Sequence, residues 1–325
     1  MKKLFVAVFM VLFCVTASAA MSLSLNHVGA IDHPYHYGSV RFAELVKEYT
    51  GGALTVDVFP ASQIASGARA VEFVQLGTLD IALESTMAFS NFVPEIGVLD
   101  LPFLFPTKEH AFRLLDGEVG EKLNAIAEER GFKVIGWWDN GFRSITSNRG
   151  SVKSPEDLVG LKIRTPESRV FISTFTALGA IPTPMAVAEV FTALQLGTVD
   201  AAENSDSNNI RNRFIEICAY YSVTKHIYTA EPLIMNLYSF NALTPEHQEA
   251  ILRAGREAGE YQRALSLSMD EENMDIVRAQ PGVTLNFVED LSEFQAAVQP
   301  VYEMFEAEFG DLIKLIQDAV RDMDI

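Results

Sequence analysis

The sequence predicts an α/β fold of two similar lobes, with a ligand cleft between them and long C-terminal helices that brace both lobes. The chain has 325 residues, which is long for a single domain. Its N-terminal part alternates strand and helix patterns, and this order predicts a parallel sheet covered by helices. One short sequence pattern then occurs twice, as expected if two equivalent lobes each contain it.

The repeated pattern reads QLGTLDIALES at residues 75–85 and QLGTVDAAENS at residues 195–205. Each copy has the composition of a helix end, a capping glycine and a short apolar strand. The two strands end in Glu84 and Asn204. If the copies belong to equivalent lobes, we expect these side chains to face each other across the cleft. The alternative is that the pattern is only a common connector between a helix and a strand.

The first twenty residues have the pattern of a secretory signal peptide. Two lysines precede an apolar stretch, Leu4–Val15, which is short for a membrane-spanning helix, and the small residues Ala17–Ala19 follow. We therefore expect residues 1–20 to be removed and the mature protein to reside in the periplasm. A retained N-terminal anchor is the alternative.

Composition excludes several classes of partner. Removal of two lysines with the signal peptide changes the formal charge from −18 to about −20, which argues against nucleic acid and against an anionic membrane surface. The remaining cysteine, Cys218, has no partner for an internal disulfide. Its apolar surroundings, FIEICAYY, predict a buried and unreactive thiol.

The first half of the mature chain contains the elements of a parallel sheet in the order strand, helix, strand, helix, strand. These elements are predicted at Ser22–His27, Tyr37–Tyr49, Leu54–Phe59, Gly67–Leu76 and Leu79–Leu83.

The middle of the chain is predicted to cross between the lobes. A helix is expected over Lys108–Arg130 and a strand over Phe132–Trp137. The polar segment Asp139–Arg149 is interpreted as a loop and strand that enter the second lobe. Ser154 followed by Pro155 has the pattern of a helix N-cap.

The rest of the chain returns to the first lobe and ends in helices. Strands are predicted at Leu161–Arg164, Ala219–Tyr228 and Leu233–Phe240. A long helix is expected to start after Thr244 and to reach about Ala279. In the tail, residues 291–320 carry apolar residues near the helical period, with a restart at Pro300.

Arg164 is the strongest candidate for ligand recognition. It follows the apolar residues Leu161 and Ile163 at the end of a predicted strand, and Pro166 comes just after it. Open α/β sheets bind ligands outside the carboxyl ends of their strands, and a guanidinium can pair with a carboxylate through two parallel hydrogen bonds. These features predict a receptor for a small organic anion, although a structural salt bridge would place an arginine there as well.

Sequence motifs of catalysis are missing. The chain has no G-x-S-x-G, H-E-x-x-H, G-x-G-x-x-G or P-loop motif, so we expect a protein that is not an enzyme. The segment from His33 to His36 contains two histidines, but no cysteine or third ligand stands nearby in the sequence. We expect no cofactor and no metal. A periplasmic carboxylate-dependent hydrolase remains the alternative from another class.

Long segments of the chain resemble one family of transport proteins. They read GFRSITSNR at residues 141–149, KSPEDLVGLKIRTPES at residues 153–168, and ALGAIPTPMAVAEVFTALQLGTVDAAEN at residues 177–204. LPFLF at residues 101–105 and TPEHQ at residues 244–248 add to the resemblance. The chain resembles the solute-binding proteins of TRAP (tripartite ATP-independent periplasmic) transporters, the DctP-type family. The resemblance covers nearly the whole mature chain and implies a hinged periplasmic binding protein.

The resemblance also implies a role for individual residues. Arg164 is similar to the family's arginine that forms a salt bridge with the ligand carboxylate, and Arg143 to a second arginine that assists it. Asn204 is similar to an amide that binds the carboxylate or a hydroxyl. Glu84 is similar to a residue that binds ligand hydroxyls or amines. Two further residues fall near pocket positions that vary within the family, namely His33 and Glu167.

Two positions depart from the family pattern. Val187 stands where many members have an aromatic residue that walls the pocket, and AENS replaces QENP. Both changes concern the ligand-facing surface, so the ligand stays open among sugar acids, C4-dicarboxylates, aromatic keto acids and other hydroxy acids. A sugar acid, an aldonate or a uronate, is favoured because Glu84 and Asn204 suit a hydroxylated chain.

The resemblance implies a set of partners and a division of the chain. We expect a monomer that delivers its ligand to the TRAP membrane permease subunits, or alternatively a sensor subunit that contacts a receptor. Residues 21–141 with 229–270 are predicted to form lobe I, and residues 142–228 with 271–325 to form lobe II.

Overall fold

The computed structural model describes residues 21–323, so the predicted signal peptide lies outside the described residues. The described part folds into ten strands and twelve α-helices. The strands are β1 Met21–His27, β2 Leu54–Phe59, β3 Ile81–Leu83, β4 Phe132–Ser147, β5 Lys162–Thr165, β6 Ile181–Pro184, β7 Ala201–Ser205, β8 Tyr220–Val223, β9 Tyr228–Asn236 and β10 Thr284–Phe287.

The helices begin and end as follows: α1 Pro34–Tyr49, α2 Ala68–Gln75, α3 Thr86–Phe89, α4 Lys108–Leu115, α5 Glu118–Glu129, α6 Arg169–Ala177, α7 Val187–Gln195, α8 Asp206–Arg211, α9 Leu237–Asn241, α10 Pro245–Ala279, α11 Ser292–Ala297 and α12 Gln299–Arg321. Short 3₁₀ helices lie at Pro94–Asp100, Pro155–Leu158 and Phe214–Glu216. Within residues 21–323, none of the helices is both long enough and apolar enough to cross a membrane.

Two lobes share the long strand β4. Strand β4 pairs antiparallel with β9 as far as Phe142, and from Arg143 onward it pairs with β7 and β8. The first lobe consists of β1, β2, β3, β9 and the first part of β4, and the second lobe contains the rest of β4 with β5, β6, β7, β8 and β10. The predicted α/β fold with two lobes is confirmed, and the chain passes between them within continuous strands.

The long C-terminal helices contact both lobes, as predicted. Helix α10 packs against α1 in the first lobe and against α8 in the second. Its N-cap is Thr244, whose side chain accepts a hydrogen bond from the His247 amide, and it ends at Ala279 as expected. Helix α12 packs on α6 and also on α4 and α5. The tail helix restarts where Pro300 enters the first turn of α12, a position that needs no amide donor.

Two segments form different elements from those predicted. The helix expected over Lys108–Arg130 is broken between α4 and α5. The chain turns sharply there and brings the Leu115 carbonyl oxygen so close to Gly120 that a Cβ at this position would lie 1.8 Å from it. The strand expected over Leu233–Phe240 ends at Asn236, whose side chain caps α9 by accepting from the Ser239 amide at 2.9 Å.

Two further predictions were wrong about local structure. The loop and strand expected over Asp139–Arg149 is one continuous strand from Asp139 to Ser147, so Arg143 is buried within β4. Helix α1 begins at Pro34 and not at Tyr37, because proline fits the first helical turn and His33 provides the N-cap.

The repeated sequence pattern has the same structure in both copies. Gly77 and Gly197 each have φ of +70° directly after α2 and α7, the left-handed conformation that closes a helix and favours glycine. Each copy then enters a buried strand, β3 or β7. The connector therefore places equivalent strand ends at the cleft in both lobes.

The apolar core has one large cluster that extends through both lobes and a second cluster between α1, α10 and the first sheet. A smaller cluster under α7 includes Cys218. This thiol is buried as predicted, and burial raises its pKa to about 11.

Candidate functional site

A cavity of about 750 Å³, counted with the part open to solvent, lies between the two lobes. This volume is in the range of small-molecule sites. The predicted residues that line it are Glu84, Arg143, Arg164, Glu167 and Asn204. The structure thus brings five of the six predicted site residues to one cavity, and the strand ends of the two repeat copies supply two of them.

Arg164 lies in β5 beside β7, where it pairs in parallel register with Ala202. The residue is 4% exposed, and its guanidinium donates from Nε and Nη2 to the Met185 carbonyl oxygen at 3.1 and 2.8 Å. Within residues 21–323, Nη1 has no hydrogen-bond acceptor. The backbone turn after β6 therefore fixes the plane of the guanidinium and leaves one end of it for a ligand. Burial lowers the pKa of Arg164 to about 10, so it stays charged at neutral pH.

Arg143 is held by a buried carboxylate. It pairs with Ser205 across the β4–β7 ladder, so Glu203 lies on the same face of β7 two residues away. Arg143 Nε donates to one carboxylate oxygen of Glu203 and Nη2 to the other at 2.8 Å, while Nη2 also donates to the Glu203 carbonyl at 3.0 Å. Arg143 Nη1 is buried without a partner in the described part of the chain. This nitrogen is a second donor available to a ligand.

Glu203 keeps its negative charge although it is fully buried. Burial acts to raise the pKa of Glu203, but the charge and hydrogen bonds of Arg143 lower it to about 2. The pair therefore neutralises one of the two arginines of the cavity, whereas Arg164 forms no salt bridge within residues 21–323.

Asn204 alternates with Glu203 along β7 and lines the cavity. Its Oδ1 accepts from the Ser205 amide at 2.9 Å, which fixes the orientation of the side-chain amide. Nδ2 has no acceptor among residues 21–323. Three hydrogen-bond donors, from Arg143, Arg164 and Asn204, are thus available on the wall that the second lobe contributes.

The wall from the first lobe carries carboxyl groups. Glu84 follows β3 and accepts a hydrogen bond from the Gly67 amide at 3.2 Å, and its Oε1 is buried without a partner in the described residues. Burial and the neighbouring Glu231 raise the pKa of Glu84 well above its ordinary range. Glu231, in β9, accepts from Asn140 Nδ2 at 3.0 Å, and burial raises its pKa to about 8.

Asparagine side chains supply most of the remaining polar lining. They are Asn91, Asn140, Asn208 and Asn212, in addition to Asn204. An amide both donates and accepts, so this lining suits a ligand with several hydroxyl groups. Val187 also lines the cavity, at the first position of α7, where an aromatic ring would take up more of the space.

His33 is the predicted residue that the structure does not bring to the cavity lining. Its Nδ1 accepts from the Tyr35 amide at 3.1 Å, and its ring packs on Tyr35 with centroids 4.0 Å apart. Burial lowers its pKa well below the ordinary value. The side chain caps α1 as a neutral imidazole.

The comparisons with known proteins agree with this architecture. Residues 25–308 match the model of DctP, described as bacterial extracellular solute-binding protein, family 7. The chain belongs to the DctP family of TRAP solute-binding proteins. Proteins of this family bind solutes for transport and are not enzymes, so the hydrolase alternative no longer stands.

Three relatives indicate how well the whole chain matches. The 2,3-diketo-L-gulonate-binding periplasmic protein YiaO of Escherichia coli K12 is 34% identical over 94% of this chain and 94% of its own. A TRAP solute-binding protein of Sulfitobacter sp. NAS-14.1, solved with bound β-D-galacturonate, has a TM-score of 0.88 and 34% identity, covering 91% and 99% of the chains. One from Sulfurospirillum deleyianum, solved with bound succinate, has a TM-score of 0.87 and 33% identity over 93% and 100%.

Two residues that shape the site of this DctP-family protein were missed at the level of sequence. Glu203 stands inside the quoted AEN motif, and a carboxylate directly after the apolar residues Ala201 and Ala202 was the available signal. Glu231 interrupts the strand TAEPLIM in the same way. Such a carboxyl must be paired, hydrogen-bonded or protonated when it is buried, and each of these three cases points to the site.

Proposed function

We propose that this TRAP solute-binding protein captures a sugar acid, an aldonate or a uronate, in the periplasm. The observation that carries the proposal is the polarity of the cavity, with arginine and amide donors on the wall of the second lobe and carboxyl and amide acceptors on the wall of the first. A carboxylate fits the donor-rich wall of the second lobe, and a hydroxylated chain fits the acceptor-rich wall of the first lobe. The galacturonate-bound and diketogulonate-binding relatives support the same ligand class.

Arg164 anchors the ligand carboxylate in this proposal. The unused end of its guanidinium and the Asn204 amide donate to the carboxylate, and Arg143 Nη1 adds a third donor. Glu84 accepts hydrogen bonds from ligand hydroxyls. Glu167, which is exposed at the edge of the cavity, contacts the ligand or its shell of water. A micromolar ligand requires about 8 kcal/mol of binding free energy, which one charge-assisted pair, several hydroxyl hydrogen bonds and apolar burial can supply.

Closure of the lobes completes capture. Two contacts at the cleft join the lobes: Arg211 donates to the Asp32 carbonyl oxygen at 3.2 Å, and Asn91 donates to the Glu167 carbonyl oxygen at 3.1 Å. A ligand that contacts both walls favours the closed form. The closed monomer, whose signal peptide (residues 1–20) has been removed, then delivers the ligand to the membrane permease. The lobes move as the predicted units, 21–141 with 229–270 and 142–228 with 271–325.

A thermal-shift screen of the mature chain tests this proposal. The panel contains galacturonate, glucuronate, galactonate and succinate, and it compares wild type with Arg164→Ala and with Arg321→Ala as a matched control. Arg321 is largely exposed and pairs with Asp318, and neither residue lines the cavity. A ligand at a hundred times its Kd stabilises the folded state by about 2.7 kcal/mol.

The expected result is a rise in melting temperature with a sugar acid for wild type and Arg321→Ala, and none for Arg164→Ala. A rise that persists in Arg164→Ala would refute the anchor. A rise only with succinate would refute the sugar-acid assignment.

A further inference from the structure

Glu84 and Glu231 line the end of the cavity opposite the two arginines, and we call this surface the acidic wall. Their strands are neighbours in the first sheet, where β3 pairs with β9 and the Glu84 amide donates to the Pro232 carbonyl at 3.3 Å. Both side chains line the cavity, and they are 2% and 1% exposed. Two carboxyl groups are thus buried side by side in one wall of the site.

The protein provides these carboxyl groups with little compensation. Glu84 receives one backbone hydrogen bond and Glu231 one from the Asn140 amide. Among the salt bridges of residues 21–323, none involves either group, whereas Glu203 is bonded to Arg143. Glu84 Oε1 is buried without a donor in the described chain. Because a buried acceptor without a donor is costly, this oxygen points to a ligand group that donates a hydrogen bond.

From this arrangement we infer that the acidic wall of Glu84 and Glu231 selects sugar monoacids against diacids. The inference rests on the proposed function, because it assumes that one ligand carboxylate is bound by Arg164. With that end fixed, the opposite end of an aldonate places a hydroxyl donor at the acidic wall. The corresponding diacid places a second carboxylate there. A carboxylate has no hydrogen to donate to Glu84 Oε1, and above the pKa of Glu231 of about 8 it also meets a like charge in a desolvated site.

The chemistry of the wall distinguishes this protein's cavity from a site for two carboxylates. Such a site needs cationic or neutral donors at both ends, and here the far end provides acceptors. Specificity of this kind arises from repulsion of the wrong ligand as much as from attraction of the right one. The succinate-bound relative shows that the same fold accommodates a diacid, so the fold itself does not exclude diacids.

Galactonate and galactarate form a matched ligand pair for the test. They share the carbon chain and the internal hydroxyl groups, and galactarate carries a carboxylate where galactonate has a terminal hydroxymethyl group. Calorimetric titration at about pH 8.5, above the pKa of Glu231 of about 8, gives the ratio of the two Kd values. The variants are Glu84→Gln, Glu231→Gln and the exposed control Glu249→Gln.

We expect wild type and Glu249→Gln to bind galactonate at least about tenfold more tightly than galactarate. Glu231→Gln should reduce this ratio about tenfold, chiefly through tighter galactarate binding, because glutamine keeps the size of glutamate and removes the charge that Glu231 carries at this pH. Glu84→Gln should reduce the ratio too, because the glutamine amide can donate a hydrogen bond to the second carboxylate. A general loss of fold would weaken both ligands together, and the melting temperature of each variant identifies such a case.

Two results would overturn the inference. One is equal binding of both ligands by wild type, and the other is an unchanged ratio in both variants while each variant remains folded. Binding of neither acid by wild type would instead refute the proposed function, and with it the assumption on which the inference rests.

Discussion

Neutralising Glu203 should destabilise the unliganded protein through the charge that it leaves on Arg143. The folded-state pKa of Glu203 is about 2 against an ordinary value of 4.5. A lowered pKa stabilises the folded state above the unfolded pKa, and this stabilisation is lost as the pH falls toward the folded value. Since one pKa unit corresponds to about 1.4 kcal/mol, the pair contributes about 3 kcal/mol at pH 7.

Removal of one partner from a buried ion pair typically costs about 3–5 kcal/mol, because the other charge stays buried. Both side chains here are almost completely buried, at 1% and 0% exposure, so screening by solvent does not reduce the effect. For a chain of this length, about 1 kcal/mol corresponds to roughly 2 °C in the melting temperature. Glu203→Gln should therefore lower the melting temperature by about 6–10 °C.

Differential scanning calorimetry at pH 7 without ligand measures this shift. The double variant Arg143→Met with Glu203→Gln serves as a control, because it removes the unpaired charge and should recover at least half of the loss. A melting temperature of Glu203→Gln within about 2 °C of wild type would refute the contribution of the Arg143–Glu203 pair to stability. So would a double variant that is less stable than Glu203→Gln alone.

Three further predictions concern separate parts of the molecule. Because burial raises the pKa of Glu231 to about 8, wild type should lose about 1.4 kcal/mol of stability per pH unit between pH 4.5 and pH 8 relative to Glu231→Gln. Urea denaturation at pH 5 and pH 8 measures the free energy of unfolding of both proteins, and the same change with pH in both would contradict this prediction. Asn204→Asp should weaken galacturonate binding about tenfold or more in calorimetric titration, because it replaces a hydrogen-bond donor with a negative charge that repels the ligand carboxylate. Unchanged affinity would exclude Asn204 from the site. Gly38→Ala should cost about 1–3 kcal/mol of folding stability by overpacking, because the added Cβ would lie 2.7 Å from Trp138 Cζ3. In the control Gly150→Ala the added Cβ meets no atom within 4 Å, so equal melting temperatures of the two variants would contradict this packing.

The parts of the fold that depend on local sequence could be predicted. The repeated helix–glycine–strand pattern requires the left-handed conformation at Gly77 and Gly197, so the strand ends at Glu84 and Asn204 followed from neighbouring residues. The position of Arg164 in the cavity was predictable for the same reason, since its strand, the following proline and its place near the end of that strand all lie within a few residues.

The features that were missed depend on contacts between distant segments. The pairing of Arg143 with Glu203 joins β4 to β7, and the environment of Glu231 depends on Asn140 and on the neighbouring strand that ends at Glu84. Arg143 lies in a segment interpreted as a loop and strand because polar residues dominate it, yet these residues line a strand shared by two sheets. Local composition cannot reveal that a polar strand lies at the centre of the molecule.

A crystal structure of the galacturonate complex would show directly whether Arg164 anchors the ligand carboxylate. We expect a carboxylate oxygen within about 3 Å of Arg164 Nη1, with the Asn204 amide donating to the same carboxylate and the ligand hydroxyls facing Glu84. A ligand bound the other way round, with hydroxyls at Arg164 and its carboxylate elsewhere in the cavity, would contradict this expectation.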